Sequence, residues 1–213
     1  MNFARYKRIG KMRYVKKGTE IADEYSVYAT NDEKAADVLL KNGLYNESAY
    51  YYIQAMEKTE IADEYSVYAT NDEKTADVLL KNGLYNESAY YYIQAMEKVV
   101  KTAISSKVDV TNTYYAAKLK DIGHSLDLAI DFFLELLVYG KDDVLAQQLE
   151  HQLKAGVFKN IRFSSLHNNI RYPIYSEKWG SYGFLEISGE DCEELQHMLK
   201  VLKEYMKQIQ FMI

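Results

Sequence analysis

The sequence predicts an all-α protein, an up-and-down bundle of about five helices with an additional, duplicated helix hairpin near its N-terminus. Three observations predict it. The chain has one Pro in 213 residues, so almost nothing breaks a helix from within. Apolar residues recur three and four positions apart through most of its length, the period of a helix with one buried face. A block of forty residues occurs twice in succession: Thr19–Lys58 and Thr59–Lys98 differ only at Ala35 against Thr75.

In the second copy Ile61, Tyr65, Tyr68, Ala69, Ala76, Leu79 and Leu80 form one helical stripe. Gly83 followed by Leu84 is the pattern of a glycine C-cap with an apolar residue just beyond it. Asn86 is placed to cap the next helix, with Glu87 in its first turn. That helix carries Ala89, Tyr92, Ile93, Met96, Val99, Val100, Ala103 and Ile104 on one face. The first copy begins the same stripe with Ala49, Tyr52, Ile53 and Met56, then presents Thr59, Glu60, Asp63 and Glu64 where apolar residues should follow. The second copy is therefore expected to build the core. The first is an added hairpin that can lie against the bundle, extend it or swap into another chain. Residues 46–82 contain neither Gly nor Pro, so the copies can join in one long helix, with Asn71 and Asp72 as the points where it would break. The Ala35/Thr75 difference falls one residue off the stripe, where a change should cost little.

Downstream, Val108–Asp121 is polar and β-branched, a loop with a short helix around Tyr115–Lys120. His124–Val138, "HSLDLAIDFFLELLV", is a central helix closed by Gly140. Asp142 caps a helix over Asp143–Ala155, with Leu145, Leu149 and Leu153 inward and Gly156 ending it. Val157–Ile187 is a long irregular stretch rich in aromatics, and a loop of that length is often functional. Ser188 caps the last helix with Asp191 as the acid of a capping box. Leu195, Met198, Leu199, Leu202, Tyr205, Met206 and Ile209 form its stripe. Three segments result: a basic arm at 1–18, the extra hairpin at 19–58 and the bundle at 59–213.

The net charge of −5 exerts no global pull toward nucleic acid. The first eighteen residues nevertheless hold seven Lys or Arg and no acid. Such an arm either tracks a phosphate backbone or pairs with the acidic repeats. A single cysteine, Cys192, makes no intrachain disulfide, which fits a cytoplasmic chain. The absence of an apolar run of roughly 20 residues, or of a secretory leader, argues for no membrane partner. The triplets Tyr50–Tyr52 and Tyr90–Tyr92 span a whole helix circumference, so some of these rings should face outward at an interface. His124 reads as a capping or core residue. His151 and His197 lack partners at metal-ligand spacing, so no metal and no cofactor are expected. Phosphate-binding glycine loops and a nucleophile elbow are missing.

"ADVLLKNGLYNESAYYYIQAMEKVVKTAI" resembles the first two helices of HEPN domains, small helical bundles in which the second helix carries Q-A-x-E-K-x-x-K-A. Here that run is "QAMEKVVKTA", Gln94–Ala103, with Thr102 at the pattern's last position and Ala103 one residue beyond it. "GHSLDLAIDF" resembles the family's H-x-L helix, and "NNIRYPIY" the R-Y-P loop of one branch, with Ile174 where that branch has an acid. The resemblance covers about 59–213 and implies a homodimer, a nucleotide or RNA ligand, and a nucleotidyltransferase-like protein as a separate partner. Many members are similar to metal-independent ribonucleases with R-x(4–6)-H, and Arg162 and His167 in "RFSSLH" meet that spacing. An imidazole can move the proton of a ribose hydroxyl and an arginine can hold the scissile phosphate. Arg162 and His167 are the catalytic candidates, and Arg171 and Tyr172 the nucleotide-binding ones, on phosphate and base. The alternative for each pair is a plain loop or turn. Three functions stand: a HEPN-like nucleotide- or partner-binding module, a ribonuclease toxin of a toxin–antitoxin pair, and a structural protein carrying a recent or engineered duplication.

Overall fold

A computed structural model describes residues 11–14, 58–108, 112–139 and 143–210. The first repeat lies outside these residues apart from Lys58, as do Tyr50–Tyr52, Gly140 and Asp142. In order the elements are β1 (Lys11–Tyr14), α1 (Lys58–Lys81), α2 (Tyr85–Ser105), α3 (Thr113–Ile122), α4 (Leu126–Val138), α5 (Asp143–His151) with a π-helical extension over Gln152–Val157, α6 (Ser164–Asn169), β2 (Ile174–Ser176), β3 (Ser181–Glu186) and α7 (Gly189–Gln210). The protein is an all-α bundle with one small sheet.

Helix α2 is the axis, packed against α1, α4 and α7. The expected inward row is buried from Ala89 to Ile104, with Val99 half-buried. Burial goes further than one stripe: Ser88, Gln94, Glu97, Lys98, Lys101 and Ser105 are buried too. Three neighbours leave α2 almost no solvent face. Of the tyrosine triplet, Tyr92 is fully buried and donates to Asp77 Oδ1 at 2.6 Å, while Tyr90 and Tyr91 are half-buried. Tyr90 and Tyr91 are thus the partly exposed rings of this triplet.

Helix α1 does not break at Asn71 or Asp72. Asp72 is buried and binds Lys98, so its carboxylate does not compete for the local backbone. Thr75 is also buried, at 5% exposure, so in the second repeat the one position that separates the copies is an interior position. The turn after α1 is a Schellman motif. Leu84 N–H donates to Leu79 O and Gly83 N–H to Leu80 O, both at 3.0 Å, with Gly83 at φ +73°.

Asn86 is not the cap of α2, which starts at Tyr85 without a side-chain cap. Its amide instead donates to Leu185 O at 2.9 Å and Ile170 O at 3.4 Å, and its Oδ1 accepts from Ile187 N–H at 3.0 Å. One side chain ties the start of α2 to β3 and to the end of α6. Helix α3 is longer than expected because Asn112 caps it, accepting from Tyr114 N–H at 2.9 Å. Ser125 rather than His124 caps α4. Leu153 and Leu149 point inward as expected, but Leu145 is exposed. The capping box of α7 forms, with Ser188 N–H donating to Asp191 Oδ2 at 3.0 Å and Asp191 N–H to Ser188 Oγ at 3.2 Å.

The stretch 157–187 is not irregular. It holds α6 and a hairpin of β2 and β3, turning at Gly180 with φ +55°. The sheet order is β1-β3-β2, antiparallel throughout, so part of the basic arm is its outer strand. On β3, Gly183 and Leu185 are buried, while Tyr182 and Phe184 are half-buried and Glu186 is exposed. That alternation gives the sheet an inner and an outer face. Cys192 is buried and its thiol donates to Tyr85 O at 3.2 Å. Burial pushes that thiol up to about 11, so it is held as a neutral group.

Candidate functional site

Tyr90, Gln94, Glu97 and Lys101 stand at spacings of four, three and four along α2, on a single edge of the helix. Glu97 is 1% exposed. Its Oε1 accepts from Lys101 Nζ at 2.6 Å, and Lys101 donates onward to Gly123 O at 2.5 Å. Its Oε2 faces His124 Nδ1 at 3.7 Å, beyond hydrogen-bond distance. Glu97 thus brings a negative charge to the floor of the site. It helps raise the phenol of Tyr65 to about 12, after burial as the main cause.

The roof is α6. Its N-terminus is fixed by Asp127 of α4, whose two oxygens accept from Phe163 N–H at 3.0 Å and Ser164 N–H at 2.7 Å. That carboxylate satisfies donors that the helix itself leaves free. The contact orients α6 so that His167 meets two other rings. Its imidazole lies 5.4 Å from the Tyr90 ring and stacks parallel on His124 at 6.3 Å, with an interplanar angle of 3°. His167 Nε2 is buried without a hydrogen bond from the described residues. The His124 imidazole is held below the usual histidine range, first by burial and then by His167.

Arg171 follows directly from Ile170, the carbonyl that Asn86 holds. Its guanidinium sits over the Tyr90 ring at 5.1 Å and over the Tyr172 ring at 5.6 Å. Burial raises the Tyr90 phenol, while Arg171 pulls it the other way. Arg171 itself is exposed, so its cationic face remains open to an anion.

The four residues expected from sequence therefore divide. His167, Arg171 and Tyr172 join around Tyr90. Arg162 is exposed in the turn before α6 and makes no hydrogen bond or ion pair among the described residues. His124 is neither cap nor core: it is half-exposed beside His167. Sequence reasoning took Gln94–Ala103 as a family pattern and missed Tyr90, Glu97 and Lys101 as the wall of a site. The helical spacing of those polar residues, on a helix already expected to be buried, was the available signal. Among the described residues, no group of three or more His, Cys, Asp or Glu stands together as metal ligands.

The arrangement offers a cation held between two aromatic rings, beside a pair of imidazoles. That set can hold a phosphate and stack on a base. Comparison with protein-family models, with curated proteins and with solved structures found no match to this chain.

Proposed function

We propose that this chain is a HEPN-like helical module that binds a nucleotide where α2, α6 and Arg171 meet. Arg171 holds the phosphate, and Tyr172 stacks on the base. The observation that carries this reading is the guanidinium of Arg171 poised over Tyr90 and Tyr172, with His124 and His167 alongside. A charged hydrogen bond of this kind contributes about 1.5–3 kcal/mol. Calorimetry with nucleoside mono-, di- and triphosphates tests it. One of them should bind, and Arg171→Ala should weaken binding roughly tenfold or more. No heat from any nucleoside phosphate removes the reading. The resemblance adds a homodimer and a nucleotidyltransferase-type partner to the proposal, and light scattering on the full chain checks the first.

A second reading, a metal-independent ribonuclease, is favoured by the facing imidazoles of His124 and His167, which could serve as acid and base. It predicts RNA cleavage in the presence of a chelator, abolished by His167→Ala. Intact RNA after incubation with the wild-type chain excludes it.

A further inference from the structure

The floor of the site at Tyr90 carries polar atoms that neither Arg171 nor Tyr172 uses. Five buried side-chain nitrogen or oxygen atoms have no hydrogen-bond partner among the described residues, and three of them gather here: Gln94 Nε2, Glu97 Oε2 and His167 Nε2. Buried polar atoms in folded proteins are nearly always bonded, so three in one place mark a surface suited to a polar group. Gln94 is 4% exposed and Glu97 1%. The three atoms share one locus. Glu97 Oε2 faces His124 Nδ1 at 3.7 Å, and the His124 ring stacks on His167. Gln94 stands one turn from Tyr90 and one from Glu97 on the same helix edge, and the Tyr90 ring lies 5.4 Å from that of His167.

Their chemistry restricts what can meet them. Glu97 Oε1 already accepts from Lys101, which leaves Oε2 as a further acceptor. The Gln94 amide nitrogen only donates. The complementary group therefore donates a hydrogen bond to one and accepts a hydrogen bond from the other. A phosphate does not fit, because it offers acceptors and meets the carboxylate with like charge. An aliphatic group does not fit, because it leaves both atoms unpaired. A hydroxyl fits, since one oxygen both donates and accepts. Arg171 and Glu97 both act on the Tyr90 phenol, so the cation and the carboxylate flank the same ring. In a nucleotide with its phosphate on Arg171 and its base on Tyr172, the group that joins the two is the sugar. The half-exposed His124 is the open edge of this floor.

We propose that Gln94 and Glu97 read the sugar of the bound nucleotide and select ribonucleotides over deoxyribonucleotides. Glu97 Oε2 accepts from a ribose hydroxyl and Gln94 Nε2 donates to one, with His167 Nε2 at hand for the same pair of hydroxyls. The inference rests on the nucleotide pocket proposed above and adds its substrate class. A site built to bond a hydroxyl rejects the analogue that lacks it, because its buried polar atoms then stay unpaired.

Calorimetry on the full chain compares the mono- and triphosphates of adenosine, guanosine, cytidine and uridine with their 2′-deoxy and 3′-deoxy counterparts. A ribonucleotide should bind roughly tenfold or more tightly than at least one of its two deoxy forms. Gln94→Met keeps the volume and removes the donor. Because Gln94 Nε2 has no partner among the described residues to lose, the melting curve of this variant should not fall. Its preference for the ribo form should shrink roughly fivefold. Glu97→Gln should shrink it as well, and the Gln94→Met result stands by itself if the lost charge beside Lys101 lowers the melt. Equal affinity for ribo and deoxy forms, or a preference that Gln94→Met leaves intact, overturns the inference while the nucleotide pocket stands. A lower melt for Gln94→Met shows that its amide is bonded within the fold and also overturns it. No binding of any nucleoside phosphate removes the pocket and this inference with it.

Discussion

At the scale of single residues, the interior polar groups decide most. Asp72 and Lys98 form a buried pair, each side chain little more than a tenth exposed. Asp72→Ala removes the carboxylate and leaves the ammonium inside, which should cost about 3 kcal/mol in chemical denaturation. The double change Asp72→Leu with Lys98→Met should recover most of that loss, because an apolar pair of similar volume avoids desolvating two charges. A single variant as stable as the wild type would show that the pair is not an interior contact. His124 makes a second prediction. Its folded value lies below the usual histidine range, so folding favours the neutral ring. The sign follows: this contribution to stability is complete above about pH 6.5 and is lost as pH falls through the lower folded value. An NMR titration should place the His124 midpoint below that of a free histidine. In His167→Asn the midpoint should rise only partway, since burial is the larger cause and the neighbouring imidazole the smaller. The buried partners of these groups were invisible in the sequence. Stripe reading passes over a polar residue at an inward position, and Asp72 and Thr75 hold two of them.

At the scale of elements, local patterns were legible wherever the stabilising groups lie within one turn of each other. The Schellman turn at Gly83 and the capping box of Ser188 and Asp191 are of this kind. Gly83→Ala should destabilise by about 1 kcal/mol, from backbone conformation alone, because no atom lies within 4 Å of the added carbon. Elements held by distant groups were not legible. Asn86 has the residue type and position of a cap, but its partners are 84 to 101 residues away. Asn86→Ala should therefore do more than shorten a helix. It leaves the Ile187 N–H and two carbonyls without this partner, at about 1–3 kcal/mol by thermal or chemical denaturation. It should also loosen the hairpin, seen as faster amide exchange across β3. Exchange confined to the first turn of α2 would contradict the tie. Helix α6 follows the same logic, since the carboxylate that caps it belongs to α4.

At the scale of the whole molecule, the described core is built on the hairpin of the second repeat. Among the described residues, the buried apolar cluster runs from Ala76 to Ile209. A chain lacking 19–58 should keep its cooperative melt and its mean helical signal from the bundle; a collapsed or non-cooperative melt would assign the first repeat a part in the core. The sequence by itself determined the all-α class, the order of the long helices and the burial of the second repeat's inward row. These follow from apolar periodicity and short-range caps, which are properties of neighbouring residues along the chain. Only the tertiary structure decided that α2 is buried on nearly every side, that His167 meets Arg171 through Tyr90, and that the basic arm supplies a strand to the aromatic hairpin. Each of these depends on groups far apart in sequence. Their contact free energy exists only once the helices have packed, and no local pattern encodes it.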